Sequence, residues 1–161
     1  MATVYLSLGT NIGNKEKQMN EAIERIETQI GGVVSRSTFY VTEPWGFESE
    51  NSFLNAAVKI ETELSADEVL KETQNIEREM GRMEKSEKGK YKDRIIDIDI
   101  LMYGTSIIDS PNLTIPHKFM KERRFVLEPL AEIASEVVIP GTDISVSKAL
   151  NLLIHKAKSD Q

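Results

Sequence analysis

The run from Ile95 to Met102, reading Ile-Ile-Asp-Ile-Asp-Ile-Leu-Met, limits the chain more than any other stretch. Its β-branched residues favour a strand, whose alternate side chains point to opposite faces. Ile96, Ile98, Ile100 and Met102 are therefore expected on one face and Asp97 and Asp99 on the other. Residues so spaced have Cα atoms about 7 Å apart, close enough for both carboxylates to converge on one or two hard cations such as Mg²⁺. A half-buried strand with a wet aspartate side explains the alternation equally simply. Ile95 and Leu101 share the aspartate face, however, and a bare pair of like charges repels unless something cationic lies between them. A metal-bound anionic substrate is the sharper reading of the pair.

The preceding chain alternates between the two periodicities. Thr3 to Leu8 reads as a strand, followed by a Gly9–Asn14 turn and a helix from about Lys15 to Ile30 with Met19, Ile23, Ile26 and Ile30 in one stripe. The glycines there lack the Gly-Lys-Ser/Thr ending of a phosphate loop, so a plain turn is expected. Val33 to Val41 reads as one further strand. A loop follows with Pro44 and the single tryptophan, Trp45, which can act as a lid over a flat ligand or as a plug at the core edge. Leu54, Ala56, Val58 and Ile60 form the inner side of a third strand, placing Phe53, Asn55 and Ala57 together on its opposite face. An aromatic plane beside an amide can stack and hydrogen-bond a heterocycle.

Ser65-Ala66-Asp67-Glu68 is a capping box opening a helix to about Met80, with Gln74 and Glu77 one turn apart on its flank. From Arg82 to Arg94 the apolar pattern stops. Arg82, Lys85, Lys88, Lys90, Lys92 and Arg94 outweigh three acids, giving +3 in a chain of net charge −6. After Met102 a short hairpin arm at Ile107-Ile108 is expected, then an extended Leu113–His117. Lys118 to Ala134 reads as helical with a kink or break at Pro129, Val137–Ile139 as extended, and the chain ends on an amphipathic helix through Val146, Leu150, Leu153 and Ile154. His117 precedes the cations Lys118, Lys121, Arg123 and Arg124, which suits an anion nearby; His155 reads as a surface residue.

The order strand, helix, strand, strand, helix, strand is the split βαβ, or ferredoxin-like, arrangement (βαββαβ). It predicts an α+β domain with a four-stranded antiparallel sheet, both long helices on one face, the other face free for a ligand, and C-terminal helical and hairpin additions. Residues 1–161 suit a single domain. Absence of cysteine excludes disulfides and thiolate metal sites, and the N-terminal residues lack the basic and apolar regions of a signal peptide, so a cytoplasmic protein is expected. No apolar run is long enough to span a bilayer, and the net charge of −6 disfavours nucleic-acid or membrane partners.

At the level of whole motifs the chain resembles a known family. Arg94-x-x-Asp97-Ile98-Asp99-Ile100-Leu101, with Phe39-Tyr40-x-Thr42-x-Pro44-x-Gly46, Phe53-Leu54-Asn55-Ala56-Ala57-Val58 and Leu113-Thr114-Ile115-Pro116-His117, is similar in order and spacing to the 6-hydroxymethyl-7,8-dihydropterin pyrophosphokinases of folate biosynthesis. The likeness covers about residues 3 to 140. It implies transfer of the β,γ-pyrophosphoryl group of ATP to the pterin hydroxymethyl oxygen, releasing AMP, with two Mg²⁺ ions. Asp97 and Asp99 would hold the metal and, with Arg82 and Arg94, form the catalytic set. Phe53 and Phe125 would sandwich the pterin, and Thr42, Pro44, Asn55 and groups at Trp45 would read its edge. Gln74, Glu77, Ile100 and Thr114 match the adenosine side of ATP, and Arg94, His117 and Arg123 its phosphates. A monomer acting on these two small molecules is expected.

This chain departs from the family pattern at Lys92, where Gly or Ala is usual, at Glu84 and Lys118, which replace an arginine and a tyrosine, and at Phe53, which replaces a tyrosine. Two other readings compete with the resemblance. A Mg²⁺-dependent nucleotidyltransferase would release pyrophosphate, and a non-catalytic sheet module binding a small molecule would show no turnover.

Overall fold

The computed structural model describes residues 1–42, 52–81 and 95–159. Strand β1 covers Ala2–Thr10, two residues beyond the expected end, because Gly9 and Thr10 still pair with Asn55 and Leu54 of β4 (Phe53–Thr62). Gly13, at φ +71°, makes the turn into helix α1 (Lys15–Gln29), where the Asn14 side chain caps the helix by accepting the Lys17 N–H at 3.1 Å. Helix α2 (Ala66–Gly81) opens on the expected capping box: Ser65 Oγ accepts the Glu68 N–H at 3.2 Å and Glu68 accepts the Ser65 N–H at 2.8 Å.

The expected strand from Val33 to Val41 is two strands. Gly32–Arg36 (β2) and Tyr40–Thr42 (β3) both pair with β4, and the ladder between them is interrupted. Three residues there face two on β4. Ser37 resolves the mismatch by giving its N–H to the Ala57 carbonyl and accepting the Ala57 N–H on its hydroxyl, each at 2.9 Å.

Strand β5 (Asp97–Tyr103) completes an antiparallel sheet of order β2-β4-β1-β5, so the first and last strands of the βαββαβ unit are neighbours, as expected for the ferredoxin-like fold. Its register shifts between Tyr5 and Leu6, where Tyr5 pairs with Met102 but Leu6 with Ile100, leaving Leu101 as an inserted residue. The bulge reverses the alternation. Ile96, Ile98 and Ile100 lie in the core formed with α1 and α2, whereas Met102 joins Leu101 in a second core on the opposite side.

That second core corrects another expectation, a helix-free face left open for a ligand. Tyr5, Ala57, Leu101 and Met102 are covered by helices α3 (Arg124–Ala134) and α4 (Val146–Ser159), through residues such as Val126, Leu127, Leu130 and Ala149. Helix α3 runs unbroken through Pro129, which is buried. The proline removes one N–H from the helix ladder, a cost that burial on the sheet offsets. The arm expected to return after Met102, β6 (Ile108–Asp109), pairs instead with β7 (Thr114–Ile115) as a separate two-stranded sheet, and a 3-10 turn at Met120–Glu122 leads on to α3. Beyond α3, Val138 pairs with Ser145 only as an isolated bridge. Among the described residues, α3 and α4 leave the end of that face towards the C-terminus of β1 uncovered, where Asp97 is exposed.

Candidate active site

That open end is where the sheet gathers its polar side chains. Tyr40, Asn55, Gly9 and Asp97 stand opposite one another on four adjacent strands, so their side chains share one row on one face. The next row contributes Asp99 and Ser7, and the row on the other side Thr42 and Phe53. The Phe53, Asn55, Ala57 face expected of β4 is therefore the face that carries both aspartates.

Asn55 is only 4 % exposed, and its Nδ2 donates to Thr42 Oγ1 at 2.9 Å. That bond fixes which way the amide points. Gly9 makes room for it, since a Cβ on Gly9 would stand 3.0 Å from Asn55 Oδ1. The sequence reading does not single out Gly9, because the need for a bare backbone beside Asn55 appears only when β4 is laid beside β1.

Asp97 is exposed and Asp99 half-buried. Two carboxylates supply hard oxygen donors, and no cluster of three or more acidic, histidine or cysteine ligands occurs among the described residues. The donor set fits Mg²⁺ held by one or two carboxylates, with phosphate oxygens and water completing its shell.

Beside Asp99 the chain returns from β7 to α3. The His117 N–H donates to the carbonyl of the bulged Leu101 at 2.9 Å, and His117 Nδ1 accepts the Phe119 N–H at 3.2 Å. A neutral ring accepting at Nδ1 carries its proton on Nε2, a ready donor to an anion. Burial holds His117 below the ordinary histidine value of 6.5; Asp99 pulls it up and Arg123 pushes it down again. The Arg123 guanidinium sits over two rings, 5.2 Å from the centre of Phe119 and 5.8 Å from that of Phe125, which steadies its fork of donors. Phe119 thus joins the cluster without having been expected there. Phe125, in the first turn of α3, remains 39 % exposed beside that guanidinium.

On the outer edge of β5, Glu77 accepts the Ile98 N–H at 2.8 Å, and Gln74, one turn earlier on α2, is exposed. Ile98 and Ile100 direct their backbone groups to the same edge by strand alternation. The Ile100 side chain is buried in the first core, so only its main chain can serve a ligand. Thr114 is exposed on β7, which packs against β5. Pro44, Trp45, Arg82, Arg94 and the basic stretch between the two arginines lie outside the described residues.

Residues 5–135 match the family model of 7,8-dihydro-6-hydroxymethylpterin-pyrophosphokinase. The chain belongs to this family. A 2-amino-4-hydroxy-6-hydroxymethyldihydropteridine pyrophosphokinase of Porphyromonas gingivalis is 48 % identical over 135 residues, covering 83 % of this chain and 92 % of that protein. One from Haemophilus influenzae is 40 % identical over 158 residues, covering 97 % and 96 %. A crystal structure of Plasmodium falciparum HPPK-DHPS superposes with a TM-score of 0.82 at 16 % identity, over 99 % of this chain and 46 % of that longer one, a likeness of fold. The expected diphosphotransferase of folate biosynthesis, with ATP as co-substrate, is borne out by this membership. Among the described residues no helix is long and apolar enough to cross a membrane.

Proposed function

We infer that this chain, as a single monomeric domain in the cytoplasm, transfers the β,γ-pyrophosphoryl group of ATP to 6-hydroxymethyl-7,8-dihydropterin at the open end of its sheet. The row Asn55, Gly9, Asp97 carries the reading. Two strand spacings separate the amide from the carboxylate, about 9 to 10 Å, roughly the length of a fused bicyclic ring with a one-carbon arm. A pterin whose edge meets Asn55 and Thr42 would therefore point its hydroxymethyl group at Asp97 and Asp99. Phe53 and Phe125 would hold its ring faces.

In the reaction the hydroxymethyl oxygen bonds to the β-phosphorus and loses its proton, while the bond from that phosphorus to the α-phosphate oxygen breaks and AMP leaves. Two Mg²⁺ ions held by Asp97 and Asp99 would offset the phosphate charge. His117 and Arg123, with Arg82 and Arg94, would orient the phosphates for in-line attack. Gln74, Glu77, Thr114 and the main chain of Ile100 would hold the adenosine along the outer edge of β5, with Pro44 and Trp45 closing the pterin side. No covalent intermediate is needed, so positioning and charge supply the rate.

Identifying the nucleotide product tests the reading. With ATP, Mg²⁺ and the reduced pterin, AMP and a pterin diphosphate should form in equal amounts. Release of inorganic pyrophosphate would instead establish nucleotidyl transfer, and no Mg²⁺-dependent turnover would leave a binding module.

A further inference from the structure

At the opposite end of α3 from Phe125, one carboxylate collects hydrogen bonds that neither the sheet nor the phosphate end requires. Glu132 receives the Thr38 N–H at 3.1 Å on each of its oxygens, the Thr38 hydroxyl at 2.9 Å and the Tyr40 hydroxyl at 2.8 Å. Thr38 lies in the interruption between β2 and β3, and Tyr40 opens β3. The carboxylate therefore does for Thr38 what the ladder does elsewhere. Burial pushes the Glu132 carboxyl up, but the bonds from Tyr40 and Thr38 outweigh it and hold the group below its ordinary 4.5. It is ionised at neutral pH and its bonds are charge-assisted.

What Glu132 fixes on each side matters for the substrate. On the sheet, Tyr40 is the direct cross-strand neighbour of Asn55, and Thr42, two residues further along the same side of β3, is the acceptor that orients the Asn55 amide. β3 has only three residues and pairs on one side only, so its ladder alone holds it weakly. On the helix, Glu132 and Phe125 are seven residues apart, two turns along one stripe of α3 and about 10 Å along its axis. One side chain thus joins the helix that carries the exposed ring to the strand that carries the edge-reading pair.

We propose that Glu132 is a positioning residue for the pterin slot, setting the separation between Phe125 and the Thr42–Asn55 pair by tying α3 to the β2–β3 segment. The proposal rests on the reading of those three residues as pterin contacts. The ATP side is anchored elsewhere, by Glu77 on Ile98 and by His117 on Leu101, so the consequence of loosening the tie is selective for the pterin.

The test compares Glu132→Ala, Glu132→Gln and Tyr40→Phe with the native protein, each well below its own melting temperature. The readouts are the pterin KM and kcat at saturating ATP, and calorimetric affinities for the pterin and for a non-hydrolysable ATP analogue. Native protein that forms no AMP would refute the functional reading itself; the proposal is judged on native protein that does. Glu132→Ala should raise the pterin KM about tenfold, the scale set by losing hydrogen bonds to a charged group, with kcat and ATP affinity within about twofold. Glu132→Gln, which keeps one acceptor oxygen, should recover about half of that loss on a logarithmic scale, and Tyr40→Phe should weaken the pterin about threefold. Should Glu132→Ala not fold, the latter two decide. A fall in melting temperature with an unchanged pterin KM would reduce Glu132 to a structural tie and overturn the proposal. Equal losses for pterin and ATP would overturn it as well.

Discussion

Replacing Gly9 by alanine is a small change that separates substrate recognition from stability. The new Cβ would lie 3.0 Å from Asn55 Oδ1, so the amide must retreat by a few tenths of an ångström. Asn55 cannot swing into solvent, being 4 % exposed, and the shift falls on its 2.9 Å bond to Thr42 Oγ1. Stretching or losing that bond costs about 0.5 to 1.5 kcal/mol and misaims the group that meets the pterin edge, which corresponds to a two- to tenfold weaker pterin affinity. Against this, alanine is favoured over glycine inside a strand by about 0.5 to 1 kcal/mol, so global stability should change little. Calorimetry with pterin in the presence of an ATP analogue, together with thermal melting, reads both quantities. Unchanged pterin affinity would refute the role given to the Asn55 amide, and a large drop in melting temperature would refute the claim that the strain is local.

Phe125→Ala should weaken pterin binding by about 1 to 3 kcal/mol with far less effect on ATP, because stacking on an exposed ring is lost and little core is disturbed; equal losses for both ligands in calorimetry would contradict this. Glu77→Gln should leave the pterin affinity unchanged and weaken ATP severalfold, since a neutral amide holds the Ile98 N–H less firmly; competition binding of an ATP analogue checks it. Ser37→Ala leaves the buried Ala57 N–H without its acceptor and should cost about 1 to 3 kcal/mol, or several degrees in melting temperature, measured by thermal denaturation. Because the Glu132 carboxyl titrates below 4.5 in the folded protein, its contribution is fully present above that pH and is lost as the pH falls through the lower folded value. The stability difference between the native protein and Glu132→Gln should accordingly shrink on acidification below 4.5, read from urea melts across pH 3 to 7.

The order of strands and helices, the Ser65–Glu68 cap and the faces of β4 could all be read from periodicity, because each depends on residues near in sequence. The bulge at Leu101 could not. An inserted residue is invisible to a period of two, and it sends Met102 into the second core, leaving Ile96, Ile98 and Ile100 in the first. Val33 to Val41 carries an unbroken β-type composition, yet the ladder fails at Ser37 for reasons that lie in Ala57 and Glu132, far away in sequence. The amphipathic pattern of α3 announces a buried side but not which surface buries it, so the sheet face it covers was expected to be open. In the candidate site the aspartate pair and Asn55 were named from sequence motifs, and Phe125 from the family resemblance alone. Gly9, Phe119 and Glu132 act through neighbours that only the folded chain supplies.

The claim that most needs testing is that Asp97 and Asp99 together hold the metal for pyrophosphoryl transfer. Steady-state AMP formation by Asp97→Asn and Asp99→Asn, measured across a wide Mg²⁺ range beside the native protein, addresses it directly. Both variants should keep the native fold and melt within a few degrees of the native protein, since each changes a side chain outside the two cores, while turnover falls by roughly three orders of magnitude or more and is not restored by excess Mg²⁺. Near-native turnover of both variants at saturating Mg²⁺ would contradict the account.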